Sequence, residues 1–403
     1  VYDEDLDYRD VMEHLIKKRN KLSPVRAELS RKINDKAKRE LSNYLEIGTD
    51  HFINVDTPLD MSFVFQLQNY LSEKSELFYE KRSPRNTPEI DLKTAIMPQI
   101  EKKDVLLSYP YESMKLFIKL LEEAAEDESV VSIKMTLYRV AERSQIIDAL
   151  VEAAENGKEV VVLVELRARF DEGNNIEVSK RLEEAGCQIL YGLGNYKVHS
   201  KLCLITRTNP ENGFSYITQI GTGNYNEKTA RLYTDLSLMT ANQAIGVEAA
   251  NVFAALQKGE IVEETTDLLV APKCLQNKVI EFIDEQIQIA KEGKKAYIGI
   301  KINSLTDKDI IEKLIEASQA GVKIDLIIRG ICCLRAGIPG LSENINVRSI
   351  VGAFLEHSRI FYFCNGGKDE VYMGSADWMP RNLDKRVEIL FPVEKAELKK
   401  EVI

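Results

Sequence analysis

From about residue 100 onward the apolar positions keep two alternating rhythms. VVSIKMTLYRV and EVVVLVEL are short apolar runs, and between them SQIIDALVEAAENG spaces its apolar residues as a helix does and closes on Gly157. The second run is apolar on both faces, as the strands of a buried parallel sheet are. The pattern therefore predicts strand, helix, strand. The same order returns downstream, with YIGIKINSL as strand, KDIIEKLIEASQAG as a helix ending at Gly321, and VKIDLIIRG as strand. Ile133 and Ile300 are 167 residues apart, and Gly157 and Gly321 are 164 apart. A nearly constant offset across two such units predicts an internal duplication, with loop insertions absorbing the difference.

Upstream the rhythm is different. Residues 1–85 are rich in charge and mostly helical in pattern, with Ala37, Leu41 and Leu45 at helical spacing. In NVDTPLDMSFVFQLQNYL, Thr57 is placed as an N-cap, Pro58 as the first helical residue and Asp60 in the first turn. Pro84, Pro88 and Pro98 lie among polar residues and mark a boundary. The expected organisation is a mostly helical segment over 1–88, followed by two α/β domains over 89–266 and 267–403.

The chain has four histidines, and two of them repeat one motif. NYKVHSKLCLITR carries His199 and Lys201; FLEHSRIFYF carries His357 and Arg359, 158 residues after His199. In a strand, residues i and i+2 share a face, so each histidine is expected beside its cation. A neighbouring cation lowers an imidazole's pKa and keeps a lone pair available for attack, while the cation offsets charge on a phosphoryl oxygen. One such motif would read as a structural histidine; two at equivalent places of a repeat read as chemistry. Each is followed by a glycine turn, GTGN (Gly221, Gly223, Asn224) and GSAD (Gly374 to Asp377). Glycine lets backbone amides approach an anion, and Asn, Ser or Asp can orient an imidazole. Arg139, Arg167, Arg169 and Arg329 all fall just past the carboxyl ends of expected strands, where α/β sheets bind ligands and where Arg can grip phosphate. Lys134, Lys197, Lys228, Arg231, Arg381 and Arg386 are further candidates for that channel. GNYNEKT imitates a phosphate-binding loop, but Glu227 stands where the glycine before Lys-Thr belongs.

Composition narrows the partners. The chain has 403 residues, 44% of them hydrophobic, enough for two or three packed domains. A net charge of −10 argues against a non-specific nucleic-acid binder, so cations for a polyanion must be gathered by the fold. The six cysteines have no C-x-x-C spacing and read as free thiols of a reducing cytoplasm. No apolar run is long enough to span a membrane and no secretory segment opens the chain. Val1 at the start is what a processed chain or a fragment would show.

The paired H-x-K and H-x-R motifs with GTGN and GSAD resemble the phospholipase D superfamily, although Thr206 and Cys364 stand where that family has aspartates and Arg359 where lysine is usual. SIKMTLYRVA, ELRARFDEGNNI, VHSKL, IGTGNYNEKTARLYTD, LIIRG, FLEHSRIFYF and GSADWMPRN together more closely resemble the bacterial polyphosphate kinases of the first type, with KKDVLLSYPYESM and PVRAELS adding to the match. That resemblance implies two tandem phospholipase D-like α/β domains behind a partial helical head domain, in a fragment lacking the family's N-terminal domain. It implies reversible transfer of the ATP γ-phosphoryl group to polyphosphate through a phosphohistidine. His199 becomes the nucleophile, His357 the second catalytic histidine, and Lys201 and Arg359 their cations. Tyr233, Arg329 and His357 become ATP contacts, with Gly221, Gly223 and Asn224 near the phosphates. The family's Mg²⁺ site maps to Arg139 and Arg169, read here as phosphate clamps because a guanidinium cannot ligate a metal. ATP or ADP and polyphosphate are the implied partners, with a dimer or tetramer as the assembly and no nucleic acid. The implied location is the cytoplasm, with membrane association in some members. The alternative is a phosphodiesterase of the phospholipase D superfamily.

Overall fold

The computed structural model describes residues 8–19, 21–168, 171–211 and 213–403. Arg169, a candidate phosphate clamp, lies outside the described residues. The chain separates into two units, Val1–Arg82 and Ser83–Ile403.

The smaller unit contains helix α1 (Tyr8–Arg19), strand β1 (Ala27–Leu29), helix α2 (Asp35–Leu45), strand β2 (Phe52–Asn54) and helix α3 (Phe63–Tyr70), with β1 and β2 paired in parallel. Asn34 caps α2 by accepting from Ala37 N at 2.8 Å, and Ala37, Leu41 and Leu45 lie on it as their spacing predicts. The helix expected to begin at Thr57 begins at Phe63 instead. Asp60 Oδ1 accepts from Ser62 N at 2.7 Å, and this Asx-type turn holds the chain out of helix until Ser62.

The larger unit carries strands β3 (Val105–Tyr109), β4 (Val130–Leu137), β5 (Glu159–Val164), β6 (Gln188–Leu190), β7 (Lys197–Val198), β8 (Leu202–Asn209), β9 (Gly213–Gly221) and β10 (Tyr233–Thr240). They are followed by β11 (Leu269–Ala271), β12 (Tyr297–Ile302), β13 (Lys323–Ile328), β14 (Ile345–Arg348), β15 (Leu355–Glu356), β16 (Ile360–Phe363), β17 (Glu370–Gly374) and β18 (Arg386–Pro392). Helices α4 (Met97–Lys102), α5 (Lys115–Glu126), α6 (Gln145–Glu155), α7 (Glu172–Glu184), α8 (Gln243–Gln257), α9 (Leu275–Lys291), α10 (Lys308–Gln319), α11 (Pro380–Lys385) and α12 (Ala396–Val402) complete it. The periodic apolar residues of α6, Ile146, Ile147, Leu150 and Ala153, are all buried. Gly157 and Gly321 follow α6 and α10 at φ 82° and 91°, the left-handed conformation that stops a helix at little cost only when the residue is glycine.

Two sheets result, and their strand orders correspond. The first runs β15-β10-β9-β8-β4-β5-β6, with β3 also on β10; the second runs β11-β18-β17-β16-β12-β13-β14, with β7 also on β18. In each, three neighbouring strands are parallel (β4, β5, β6 and β12, β13, β14), and the other pairings are antiparallel except those of the two-residue strands β15 and β7. One core fills the second repeat, with Ile300, Phe361 and Trp378 at its centre. A second joins the sheets, bringing Leu204, Ile220 and Phe253 against Met373, Ile389 and Phe391.

The two repeats also exchange short strands. β7, from the first repeat, pairs in parallel with β18 of the second; β15, from the second, pairs in parallel with β10 of the first. Each two-residue strand leads directly into a His-Ser-cation motif. All six cysteines are free thiols. Among the described residues no helix is long and apolar enough to cross a membrane.

Candidate active site

The two histidines do not lie within continuous strands, as their spacing suggested. His199 sits at the kink where the chain leaves β7 in one sheet and enters β8 in the other, and His357 sits at the matching kink between β15 and β16. The backbone amides of His199 and Ser200 both donate to Val387 O, at 2.9 and 3.0 Å, while His357 N donates to Thr234 O at 3.3 Å. Each motif is thus clamped by the opposite repeat, which turns its imidazole into the cleft between the two sheets.

The side chains follow the same exchange. His199 Nδ1 lies 2.9 Å from Glu388 Oε2, and His357 Nδ1 lies 2.8 and 2.9 Å from the two oxygens of Asp235. An ionised carboxylate can only accept, so the proton on each of these bonds belongs to Nδ1 and the lone pair lies on Nε2. Glu388 Oε1 accepts from Asn382 Nδ2 at 2.7 Å, and Asp235 Oδ1 accepts from Thr222 Oγ1 at 2.6 Å. Ser375, at the place in GSAD that Thr222 has in GTGN, accepts from the amide of Ile389, the residue after Glu388, at 3.2 Å. The GTGN turn therefore orients His357 at one remove, by holding the Asp235 carboxylate.

That arrangement corrects the reading of Gly221 and Gly223 as an anion-binding turn. Gly221 N–H is already spent on Lys201 O at 3.1 Å. Gly223 is required for another reason, since a Cβ there would run into the Asp235 carboxylate. Asn224 does reach the cleft wall, but neither it nor Asp377 orients a histidine. Asp377 Oδ2 instead holds Arg359 Nη2 at 3.1 Å, and Asp377 Oδ1 accepts from Asn303 N at 2.7 Å. Asn303 Oδ1 accepts from Arg329 Nε at 2.8 Å, which extends the chain of contacts to the cleft rim.

The two cations of the motifs are placed differently. Arg359 Nη1 lies 3.3 and 3.2 Å from the two ring nitrogens of His357, a position over the ring face, and also donates to His357 O at 2.8 Å. Lys201 is not on the cleft wall. It is 2% exposed, donates from Nζ to His199 O, and rests 5.5 Å from the centre of the Tyr138 ring. Tyr138 packs edge-on against His199 at 4.7 Å, and Tyr233 lies 5.3 Å from His357.

The electrostatics follow from burial among cations. Burial first, then Lys201 and Arg386, push the His199 pKa well below its ordinary 6.5. Burial also lowers His357; Asp235 opposes this and Arg359 adds to it. Burial drives the Lys201 ammonium down to about 7 against the pull of Glu388. Burial would raise Asp235, but His357, Thr222 and Arg359 outweigh it and hold the carboxyl below the usual range. For Glu388 burial prevails over Lys201 and Arg386, and its pKa is raised.

The cleft has a volume of ≈320 Å³, and its wall includes His199, His357, Tyr233, Arg139, Arg329, Arg359, Arg381 and Arg386. Arg139 Nε lies 2.8 Å from Asp171 Oδ2. The remaining candidates sit elsewhere. Arg167 pairs with Glu165 at 3.1 Å and donates to Gly194 O and Tyr196 O, which fixes the loop leading to β7. Lys197 donates to Arg167 O, and Lys134 bonds Gln257 and Glu159. Lys228 and Arg231 face a separate pocket. Glu227 of GNYNEKT accepts from Ser144 Oγ at 2.8 Å, just before α6, so that loop is no phosphate cradle.

Asp235 and Glu388 were missed in the sequence, although a signal is present. Tyr233-Thr-Asp235 and Arg386-Val-Glu388 each open a strand that is otherwise mostly apolar, and a lone acid facing such a core must have a partner. A metal cage does not fit. Among the described residues no group of three or more His, Cys, Asp or Glu side chains is assembled to hold an ion, and Asp235, Asp377 and Glu388 are each committed to His or Arg.

Comparison with known proteins gives a consistent picture. The family models for the polyphosphate kinase C-terminal domain 1, C-terminal domain 2 and middle domain match residues 95–262, 268–403 and 1–67. The polyphosphate kinase of Staphylococcus epidermidis is 48% identical over 385 residues, which is 95% of this chain and 52% of the relative. That of Halalkalibacterium halodurans is 45% identical over 400 residues, 98% of this chain and 57% of the relative. The crystal structure of the polyphosphate kinase from Porphyromonas gingivalis matches with a TM-score of 0.83 at 38% identity, covering 92% of this chain and 56% of that one. The chain spans about half the length of the curated relatives it matches.

Proposed function

We propose that this chain, which belongs to the polyphosphate kinase family, transfers the γ-phosphoryl group of ATP to inorganic polyphosphate by way of a phosphohistidine at His199. The observation that carries the proposal is the crossed pair of imidazoles. Each is buried, pinned at Nδ1 by a carboxylate of the other repeat, and on the wall of a cleft lined with arginines.

In the forward direction His199 Nε2 attacks the γ-phosphorus. The N–P bond forms as the bond from phosphorus to the β,γ-bridging oxygen breaks, and that electron pair leaves with ADP. A terminal oxygen of polyphosphate then attacks the same phosphorus, and the N–P electron pair returns to the imidazole. Phosphoryl transfer asks the protein for alignment and charge compensation more than for covalent help. Glu388 supplies alignment by fixing the tautomer of His199, and the buried, cation-rich surroundings keep its nucleophilic nitrogen unprotonated. Arg139, Arg329, Arg381 and Arg386 supply the compensating charge. His357, with Asp235 behind it, is the group that exchanges a proton with an incoming or departing phosphate. Magnesium enters as part of the Mg–nucleotide substrate, held by phosphate oxygens and water, with Arg139 and Arg169 as phosphate contacts.

The proposal includes segment 1–88 as part of a head domain, 89–266 and 267–403 as the two catalytic halves, and a cytoplasmic homo-oligomer whose size sedimentation would give. The test is incubation with Mg–ATP and polyphosphate. ADP formation and chain lengthening, both absent in His199→Ala, are expected. Hydrolysis of a generic phosphodiester with no transfer from ATP would overturn the reading in favour of a phosphodiesterase.

A further inference from the structure

Lys301, near the end of β12, has little contact with solvent: its side chain is 15% exposed. An ammonium has three N–H bonds, and Lys301 directs them all at one small region. Its Nζ lies 2.7 Å from Glu356 Oε2, donates to Ser358 Oγ, and lies 3.4 Å from Thr234 Oγ1. Glu356 and Ser358 are the two chain neighbours of His357, and Thr234 stands between Tyr233 and Asp235 on β10 of the opposite repeat. The ammonium therefore reaches both sides of the second histidine and the strand that carries its carboxylate.

Thr234 closes the cluster. Its hydroxyl donates to Glu356 Oε2 at 3.0 Å and accepts from His357 N at 3.2 Å. Backbone pairing alone is thin here, because β15 is two residues long, with Leu355 opposite Tyr233 and Glu356 opposite Thr234. One step further in the same register His357 meets Asp235, whose oxygens lie 2.8 and 2.9 Å from Nδ1. A slip of register changes which side chains meet. Whatever fastens Glu356 to Thr234 thus also decides whether His357 meets its carboxylate. Without the ammonium, Glu356 would be a partly buried charge deprived of its ion-pair partner, and water would draw it away from Thr234.

The duplication supplies an internal comparison. Ile133 corresponds to Ile300, so Lys134 is the counterpart of Lys301. Lys134 bonds Gln257 at 3.3 Å and Glu159 at 3.5 Å instead. The exchanged strand β7, which leads to His199, is held within its own repeat, where Val198 N donates to Glu165 Oε2 at 3.0 Å. The two exchanged strands are therefore fastened by different means.

We infer that Lys301 is a positioning residue for His357: by binding Glu356, Ser358 and Thr234 at once, it holds β15 on β10 in the register that sets His357 against Asp235. The consequence for transfer rests on the function proposed above; the geometry is read separately.

The test uses the whole chain carrying ¹⁵N in histidine only, with its Lys301→Met and Glu356→Gln variants. The chain has four histidines, and His199→Ala and His357→Ala assign the two ring signals of interest. In the parent chain the His357 proton should reside on Nδ1. In both variants it should be shared between Nδ1 and Nε2, while the His199 signals stay in place. Lys134→Met should move neither. Loss of one charge-assisted contact is worth about tenfold in rate, so steady-state transfer to polyphosphate should fall by about that factor in Lys301→Met and recover in Lys301→Arg. Unchanged His357 signals in the folded variants would overturn the inference, as would equal displacement of His199 and His357, which marks a general loss of structure. His357 signals that move as expected in a chain whose parent takes no label at His199 would support the positioning role and refute the proposed reaction, so the two failures are distinct.

Discussion

Replacing Glu388 by Gln tests whether carboxylate orientation makes His199 a nucleophile. The change keeps the shape of a fully buried side chain but replaces one oxygen by an NH₂ group. In the present geometry Oε2 faces His199 Nδ1 at 2.9 Å and Oε1 faces Asn382 Nδ2 at 2.7 Å. An amide can serve only one of these donors. If its oxygen stays with His199, its NH₂ meets the Asn382 amide; if it turns round, it donates to Nδ1 and moves the imidazole proton to Nε2, the atom that must attack. A hydrogen bond to a charged acceptor is worth about 1.5–3 kcal/mol, and the rate changes tenfold for each ~1.4 kcal/mol. Labelling of His199 by ATP should therefore slow by about ten- to a hundredfold, more if the wrong tautomer dominates. Rapid-quench measurement of acid-labile phosphate gives the rate, and thermal unfolding checks that the variant is folded. A folded variant labelled within twofold of wild type would refute the orienting role.

The other predictions use the same geometry. His357→Ala should fold and bind ATP, yet lose about 10²–10⁴ in overall transfer, measured by steady-state ADP release; near-normal activity would dismiss a two-histidine mechanism. Gly223→Ala should displace the Asp235 carboxylate and depress transfer as Asp235→Asn does, while Gly194→Ala, in open space, serves as the control. Because His199 is depressed well below 6.5, labelling should show no loss at the ordinary histidine value as pH falls from about 6.5 to 5.5, below the Lys201 value of about 7, and an inflection there would contradict this. The linked stability has the same sign. The unfolded chain takes up this proton near 6.5 and the folded chain does not, so His199 makes the fold less stable as pH falls below that value, readable as a falling denaturation midpoint.

The fold was largely legible because its elements are local. Continuous apolar runs such as EVVVLVEL and a helix closed by Gly157 announce a buried strand and its partner without tertiary information. Duplication could be read from offsets for the same reason. Strand exchange could not, since β7 and β15 are two residues long and their pairing with the opposite repeat is set by the core between the sheets. That exchange decides the site. Motif spacing put Lys201 and Arg359 in equivalent positions, yet one is sealed behind Tyr138 and the other lies over His357. Glycine content suggested anion binding at Gly223, where the close neighbour is a carboxylate. Thr57 had the capping chemistry of a helix start, but Asp60 captured the nearer amide.

The most direct measurement is the site of phosphorylation. The chain, its His199→Ala variant and a full-length relative would be incubated with γ-labelled Mg–ATP, the label tested for acid lability, and its position mapped by mass spectrometry. Acid-labile phosphate on His199, absent from the variant, is the result predicted here. Label on any other residue, or transfer to polyphosphate that survives the loss of His199, would contradict it.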